Sequence, residues 1–159
     1  MTVAFVGIGA NLGDPRRQVL AAFGALDALE GTRVTGRSSL YRSAPVGVGE
    51  QADFINAVAR VDTSLEPHAL LEALLAIERE QGRERPRAGA PRTLDLDLLL
   101  YGGERVATPA LTVPHPRMHQ RRFVLDPLLE LDPAASIPGL GPAARHLAGC
   151  ASQKVEMVA

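Results

Sequence analysis

Apolar positions along this chain follow two periods, near two residues in some stretches and near 3.6 in others, and the switches between them lay out the elements. Val3 to Ile8 is a short apolar run rich in β-branched residues and predicts a strand. "GIGANLGDP" turns the chain, with Asp14 placed to cap a helix and Pro15 to occupy its first position. Val19, Leu20, Phe23, Leu26 and Leu29 recur at helical spacing, which predicts a helix from Pro15 towards Leu29, stopped by Glu30-Gly31. "TRVTGRSSLYRS" reads as one strand with Gly36 a candidate bulge. After the Pro/Gly loop "APVGVGEQA", the segment "FINAVARVDT" alternates strictly. Ile55, Ala57, Ala59 and Val61 face one way, and Phe54, Asn56, Val58 and Arg60 the other. Ser64 is a candidate cap for a second helix with the stripe Leu70, Leu71, Leu74 and Leu75, ended by Gly82.

Two places break the pattern. Glu78 puts a carboxylate on the next position of the leucine stripe. "PRTLDLDLLLYGG" reads as a strand, yet it carries Asp95 and Asp97, a residue type depleted in strands. Period two places both on one face, where a hard cation such as Mg²⁺ would relieve their repulsion. By itself the pair is equally a solvent-facing strand face. The preceding loop shifts the balance, because Arg83, Arg85, Arg87 and Arg92 crowd a Pro/Gly/Ala segment with only Glu84 among them. Guanidinium forks beside a metal-type acidic pair favour phosphate clamping and phosphoryl-type transfer. "PHPRMHQRRF" adds His115, Arg117, His119, Arg121 and Arg122. Pro116 between the two histidines argues against a helical zinc pair, so a phosphate-facing His115 is the more economical reading. His68 and His146 look like helix-surface residues. "GIGANLG" misses the dinucleotide spacing by one residue, and no P-loop motif occurs.

The element order β-α-β-β-α-β is ferredoxin-like: an α+β fold with an antiparallel sheet and helices on one face, followed by a C-terminal extension. In the extension, "LTVPHPRMHQRRFVLDPLLELDP" predicts a short extended piece, a Pro-locked turn and a helix, and Pro142 to Ala148 a last short helix. The 159 residues suit one domain spanning 1–159. Apolar content is 46% and charged content 22%, as in ordinary soluble proteins. A net charge of -1 gives no argument for nucleic acid or an anionic membrane surface. The lone Cys150 excludes a disulfide framework, reads as a small packing residue, and fits a reducing cytoplasm. "MTVAFVGIGA" lacks the basic start of a signal peptide, and no uncharged apolar run would span a bilayer.

Taken together, "GIGANLGD", "YRSAPVG", "EQADFINAV", "GRERPRAGAPRTLDLDLLLYGG" and "LTVPHPRMHQRRFVLDPL" resemble the 6-hydroxymethyl-7,8-dihydropterin pyrophosphokinases of folate biosynthesis over nearly the whole chain. The resemblance implies a monomer that transfers the β,γ-pyrophosphoryl group of ATP to the pterin hydroxymethyl oxygen and releases AMP. It implies Asp95 and Asp97 as ligands of two Mg²⁺ ions, and Arg83 and Arg92 as catalytic-loop arginines. Glu78, Arg83, Arg85, Arg92, Leu98, Thr112, His115 and Arg121 match the ATP side. Ser43, Ala44, Val46, Phe54, Asn56 and Phe123 match the pterin side, where Phe54 and Phe123 offer stacking faces and Asn56 an amide edge. The chain departs from the family in lacking the loop Trp and in placing Ala110 where an Arg is frequent. The rival classes are a non-catalytic ferredoxin-like ligand-binding domain and an RNA-binding module. The second wants surface aromatics and a basic face, whereas aromatics here are 4%.

Overall fold

The computed structural model describes residues 1–44, 53–82 and 94–158. Strand β1 (Thr2–Ala10) leads through Asp14 into helix α1 (Pro15–Asp27). The Asp14 carboxylate accepts from the Arg17 N–H at 3.2 Å, so the expected cap is in place. Strands β2 (Thr32–Arg37) and β3 (Leu40–Ser43) follow, then β4 (Phe54–Thr63), helix α2 (Pro67–Ile77) and β5 (Asp95–Tyr101). Short hairpins pair β6 (Val106–Ala107) with β7 (Thr112–Val113) and β8 (Ser136–Ile137) with β9 (Gly141–Pro142). Between them lies helix α3 (Arg122–Leu131), and β10 (Val155–Val158) ends the described chain.

The main sheet is antiparallel, in the order β10-β3-β4-β1-β5, with β2 also on β4. This is the ferredoxin-like arrangement expected, with one strand added at the edge by the tail. The single strand expected over "TRVTGRSSLYRS" is two, β2 and β3. They separate at Ser38-Ser39, yet Ser38 keeps the junction on β4: its N–H donates to the Val58 C=O and its Oγ accepts from the Val58 N–H. The register along β4 slips between Val34 and Gly36, the bulge anticipated at Gly36.

Side chains alternate between the two sheet faces. Ala4, Val6, Ile8, Ala57, Ala59, Val61, Leu96 and Leu98 form a core with Val19, Phe23 and Leu26 of α1 and Leu70, Leu74 and Ile77 of α2. Two stripe assignments shift: Leu20 is 54% exposed, and Ile77 rather than Leu75 completes the buried stripe of α2. Ser64 does not cap α2. Its Oγ donates to the Gly31 C=O, and the helix starts at Pro67 behind Glu66. Helix α2 closes in a π-helical turn, Glu78–Gly82.

On the opposite face, Phe5, Val58, Leu99 and Leu100 pack against Val124, Leu125 and Leu128 of α3, with Ile137, Ala143 and Cys150 of the tail. Cys150 is buried there, as read from sequence. The expected last helix is two 3₁₀ turns, Ala143–His146 and Ala148–Cys150, and β10 was not foreseen. Among the described residues no helix is long and apolar enough to cross a membrane.

Candidate active site

Helix α3 covers only part of its sheet face. The uncovered part is a cavity of about 260 Å³. Its floor comes from the pleat of three strands. Gly9 lies opposite Asp95 on β5 and opposite Asn56 on β4, and Gly7 lies opposite Asp97. Residues directly opposite share a face, so Asp95, Asp97, Asn56 and Phe54 all project from the floor, separated by two residues without side chains. Adding a Cβ at Gly9 would bring it to 3.4 Å from Asn56 Oδ1 and 3.9 Å from Phe54 Cδ1. The two glycines therefore keep a slot open between the carboxylates and the Phe54-Asn56 wall. As a nucleotide motif this segment fails. The absent side chains, not a phosphate-binding turn, are what the cavity uses.

The walls carry the other groups. Phe123 and Arg121 enter from the start of α3, and Ser43 and Ala44 from the end of β3. The Arg121 guanidinium carbon lies 5.6 Å from the centre of the Phe123 ring, a cation–π pair at the cavity wall. Asn56 is 4% exposed, and its Nδ2 donates to Ser43 Oγ at 2.7 Å. That bond fixes the amide plane and leaves Oδ1 over Gly9 as an acceptor. Tyr41, the residue opposite Asn56, is braced from α3: its hydroxyl donates to Glu130 at 2.6 Å, and Glu130 also accepts from the Ser39 N–H. Burial, with Glu130 beside it, pushes the Tyr41 hydroxyl well above its usual range.

Of the residues singled out from sequence, Ser43, Ala44, Phe54, Asn56, Asp95, Asp97, Arg121 and Phe123 line this one cavity. Four others do not. Glu78 is 3% exposed on the helix side of the sheet, and its Oε2 accepts from the Leu96 N–H at 2.7 Å. It therefore ties α2 to the backbone between the two aspartates. Leu98 has its side chain buried in the helix-side core, on the face away from the carboxylates. Thr112 is exposed on β7. His115 follows the cis Val113–Pro114 peptide and donates its N–H to the Leu99 C=O. Burial, with Arg121 and Arg117 nearby, lowers its pKa to about 4, so it is neutral at pH 7. Its Nδ1 accepts from the Arg117 N–H at 3.2 Å. The sequence positions Val46, Arg83, Arg85, Arg87 and Arg92 lie outside the described residues.

A family model described as 7,8-dihydro-6-hydroxymethylpterin-pyrophosphokinase matches residues 5–133. The 2-amino-4-hydroxy-6-hydroxymethyldihydropteridine pyrophosphokinase of Pseudomonas aeruginosa is 45% identical over 152 residues, covering 96% of this chain and 94% of that one. The enzyme of the same name from Haemophilus influenzae is 47% identical over 131 residues, with 82% of each chain covered. A solved Plasmodium falciparum HPPK-DHPS chain with pteroate superposes with a TM-score of 0.75 at 13% identity, over 95% of this chain but only 42% of that longer one. That last likeness carries the fold alone. Matched along most of its length by the family model and by two relatives above 40% identity, the chain belongs to the 7,8-dihydro-6-hydroxymethylpterin-pyrophosphokinase family.

Proposed function

We propose that the chain transfers the pyrophosphoryl group of ATP to the hydroxymethyl oxygen of 6-hydroxymethyl-7,8-dihydropterin, releasing AMP, a step of folate biosynthesis. The observation that carries this reading is one cavity lined both by Phe54, Phe123 and Asn56 and by the carboxylates of Asp95 and Asp97. A flat heteroaromatic ring is held between aromatic faces and an amide edge, which Phe54, Phe123 and Asn56 offer. The hydroxymethyl arm of a ring so placed extends towards Asp95 and Asp97.

The donor set fits Mg²⁺. Asp95 and Asp97 are hard oxygen ligands on one strand face, and among the described residues no third His, Cys, Asp or Glu joins them in a metal-type cluster. Mg²⁺ is commonly held by one or two carboxylates, with waters and substrate phosphates completing its shell. In our reading the pair would hold two such ions, which when bound neutralise the triphosphate and acidify the attacking hydroxyl. The remaining work belongs to this chain's residues. Arg121 sits where its guanidinium can pair with phosphate oxygens, and neutral His115 beside it can hydrogen-bond them. Asn56 and the two rings hold the hydroxymethyl oxygen in line with the β-phosphorus, and positioning of this kind supplies much of the catalysis in phosphoryl transfer. The new bond joins that oxygen to the β-phosphorus. The bond broken is the one to the oxygen bridging the α- and β-phosphates, which leaves with AMP as the hydroxyl proton is lost.

The test is AMP release from ATP. It is expected to require both the hydroxymethyl dihydropterin and Mg²⁺. Tight pterin binding without any AMP formation would instead assign the cavity to a non-catalytic ligand-binding domain.

A further inference from the structure

Helix α3 begins without a cap of its own. The first N–H groups of a helix have no acceptor within it. The residue at the cap position is Arg121, a side chain with donors only, and it makes no capping bond. The C-terminal segment supplies what is missing. Gln153 Oε1 accepts from the Arg122 N–H at 2.9 Å, and Gln153 Nε2 donates to the Gln120 C=O at 2.8 Å. One primary amide thus holds the backbone on both sides of Arg121. The Arg122 guanidinium returns the contact, with Nη1 donating to the Gln153 C=O at 2.9 Å while Nε holds Asp126 at 3.1 Å.

Gln153 is itself well anchored. Its N–H donates to the C=O of Cys150, which is 1% exposed in the α3-side core. Shortly after it, β10 joins the sheet with Val155 opposite Ser43, a residue of the cavity wall. The tail is therefore fixed to the core on one side and to the sheet on the other, and it presents its amide at the base of Arg121. Gln153 lies beyond the matched residues of the family model, which end at 133.

We propose that Gln153 is a positioning residue: its amide clamps the backbone around Arg121 and so aims that guanidinium at the transferring phosphates. The inference rests on the phosphate-side role given to Arg121 above. A long flexible side chain inherits any tilt of its own peptide units, and a misplacement of about 1 Å at a reacting centre can cost on the order of 100-fold in rate.

Gln153→Ala and Gln153→Met both remove the two bonds, and only the second keeps the side-chain length. Each is expected to lower kcat about five- to tenfold, the scale of one or two ordinary hydrogen bonds. Leu147→Ala, which trims a tail residue packed on the same core without touching the clamp, is expected to lower the Tm and leave kcat unchanged. In an Arg121→Ala background, adding Gln153→Ala is expected to change kcat less than twofold, because the residue it aims has gone. Full persistence of the Gln153→Ala loss in that background would overturn the inference, as would normal kcat in Gln153→Met. Recovery of kcat in Gln153→Met with loss only in Gln153→Ala would also overturn it, since packing and not the clamp would then be at work. A large Arg121→Ala effect beside a harmless Gln153→Ala overturns the inference alone. A harmless Arg121→Ala overturns the site reading and the inference together.

Discussion

The two faces of the central sheet are built from the same strands, one residue out of step, and they do different jobs. The face under α1 and α2 is apolar along its length: Ala4, Val6 and Ile8 on β1, Ala57, Ala59 and Val61 on β4, and Leu96 and Leu98 on β5. The other face is divided. Phe5, Val58, Leu99 and Leu100 lie beneath α3, while Gly7, Gly9, Asn56, Asp95 and Asp97 stay open to the cavity. Stability rests on the continuous face and on the covered part of the divided one. Chemistry occupies the part that no helix covers. A strand can serve both because its period of two keeps their side chains apart.

This separation can be broken from either side. The largest effect is expected on the open face. Asp95→Asn and Asp97→Asn should each remove several kcal/mol of transition-state stabilisation, about a thousandfold in turnover, with the Tm little changed. Both side chains are only partly buried and neither belongs to an apolar cluster. Near-normal AMP release at saturating Mg²⁺ in either variant would remove the metal assignment. Next comes the covered face. Leu74→Ala should cost about 2–5 kcal/mol of folding stability by denaturant titration, yet leave kcat per folded molecule unchanged. A matching fall in kcat would mean the faces are not independent.

A smaller effect is expected where the faces meet in β1. Gly9→Val keeps an ordinary strand backbone, since Gly9 is not among the positive-φ glycines. It fills the slot between Asp95 and Asn56, an overpacking cost of about 1–3 kcal/mol, or roughly ten- to a hundredfold in the pterin dissociation constant. Calorimetry should show unaltered ATP binding, and equal losses for both ligands would point to a distorted sheet. The smallest effect is at His115. Its folded pKa of about 4 lies below the ordinary 6.5. The contribution to stability is thus fully present above pH 6.5 and is lost as pH falls from there towards 4. NMR titration should find the midpoint near 4, and Arg121→Ala should raise it only in part, because burial is the larger cause. A midpoint near 6.5 in the intact protein would place the ring in solvent.

Features that depend on neighbours in sequence were legible from the sequence alone. The Asp14 cap, the Gly36 bulge and the alternation of β4 are local, and all three are present. Features that depend on a partner elsewhere were not. The four residues of β10 carry no strong strand pattern and are held by pairing with β3. Leu20 and Ala22 fall on opposite edges of one helical stripe, and only the packed sheet decides that the Ala22 edge is inside. Leu98 belongs to the motif that carries the aspartates, but strand parity turns it to the other face. The aspartates stood out because they break a pattern. Gly7 and Gly9 matter through what they lack, and only the register that sets them against Asp97 and Asp95 reveals it.

The bond from the Leu96 N–H to Glu78 has one more consequence. Among the described residues strand β5 ends the sheet, and an end strand with free backbone groups is a template on which another chain can add. Here the Leu96 N–H is taken by a buried carboxylate and the Leu99 C=O by the His115 N–H. A foreign strand would have to displace both bonds before it could pair at Leu96 and Leu99, so the tie that steadies the aspartates also occupies backbone groups that an added strand would need.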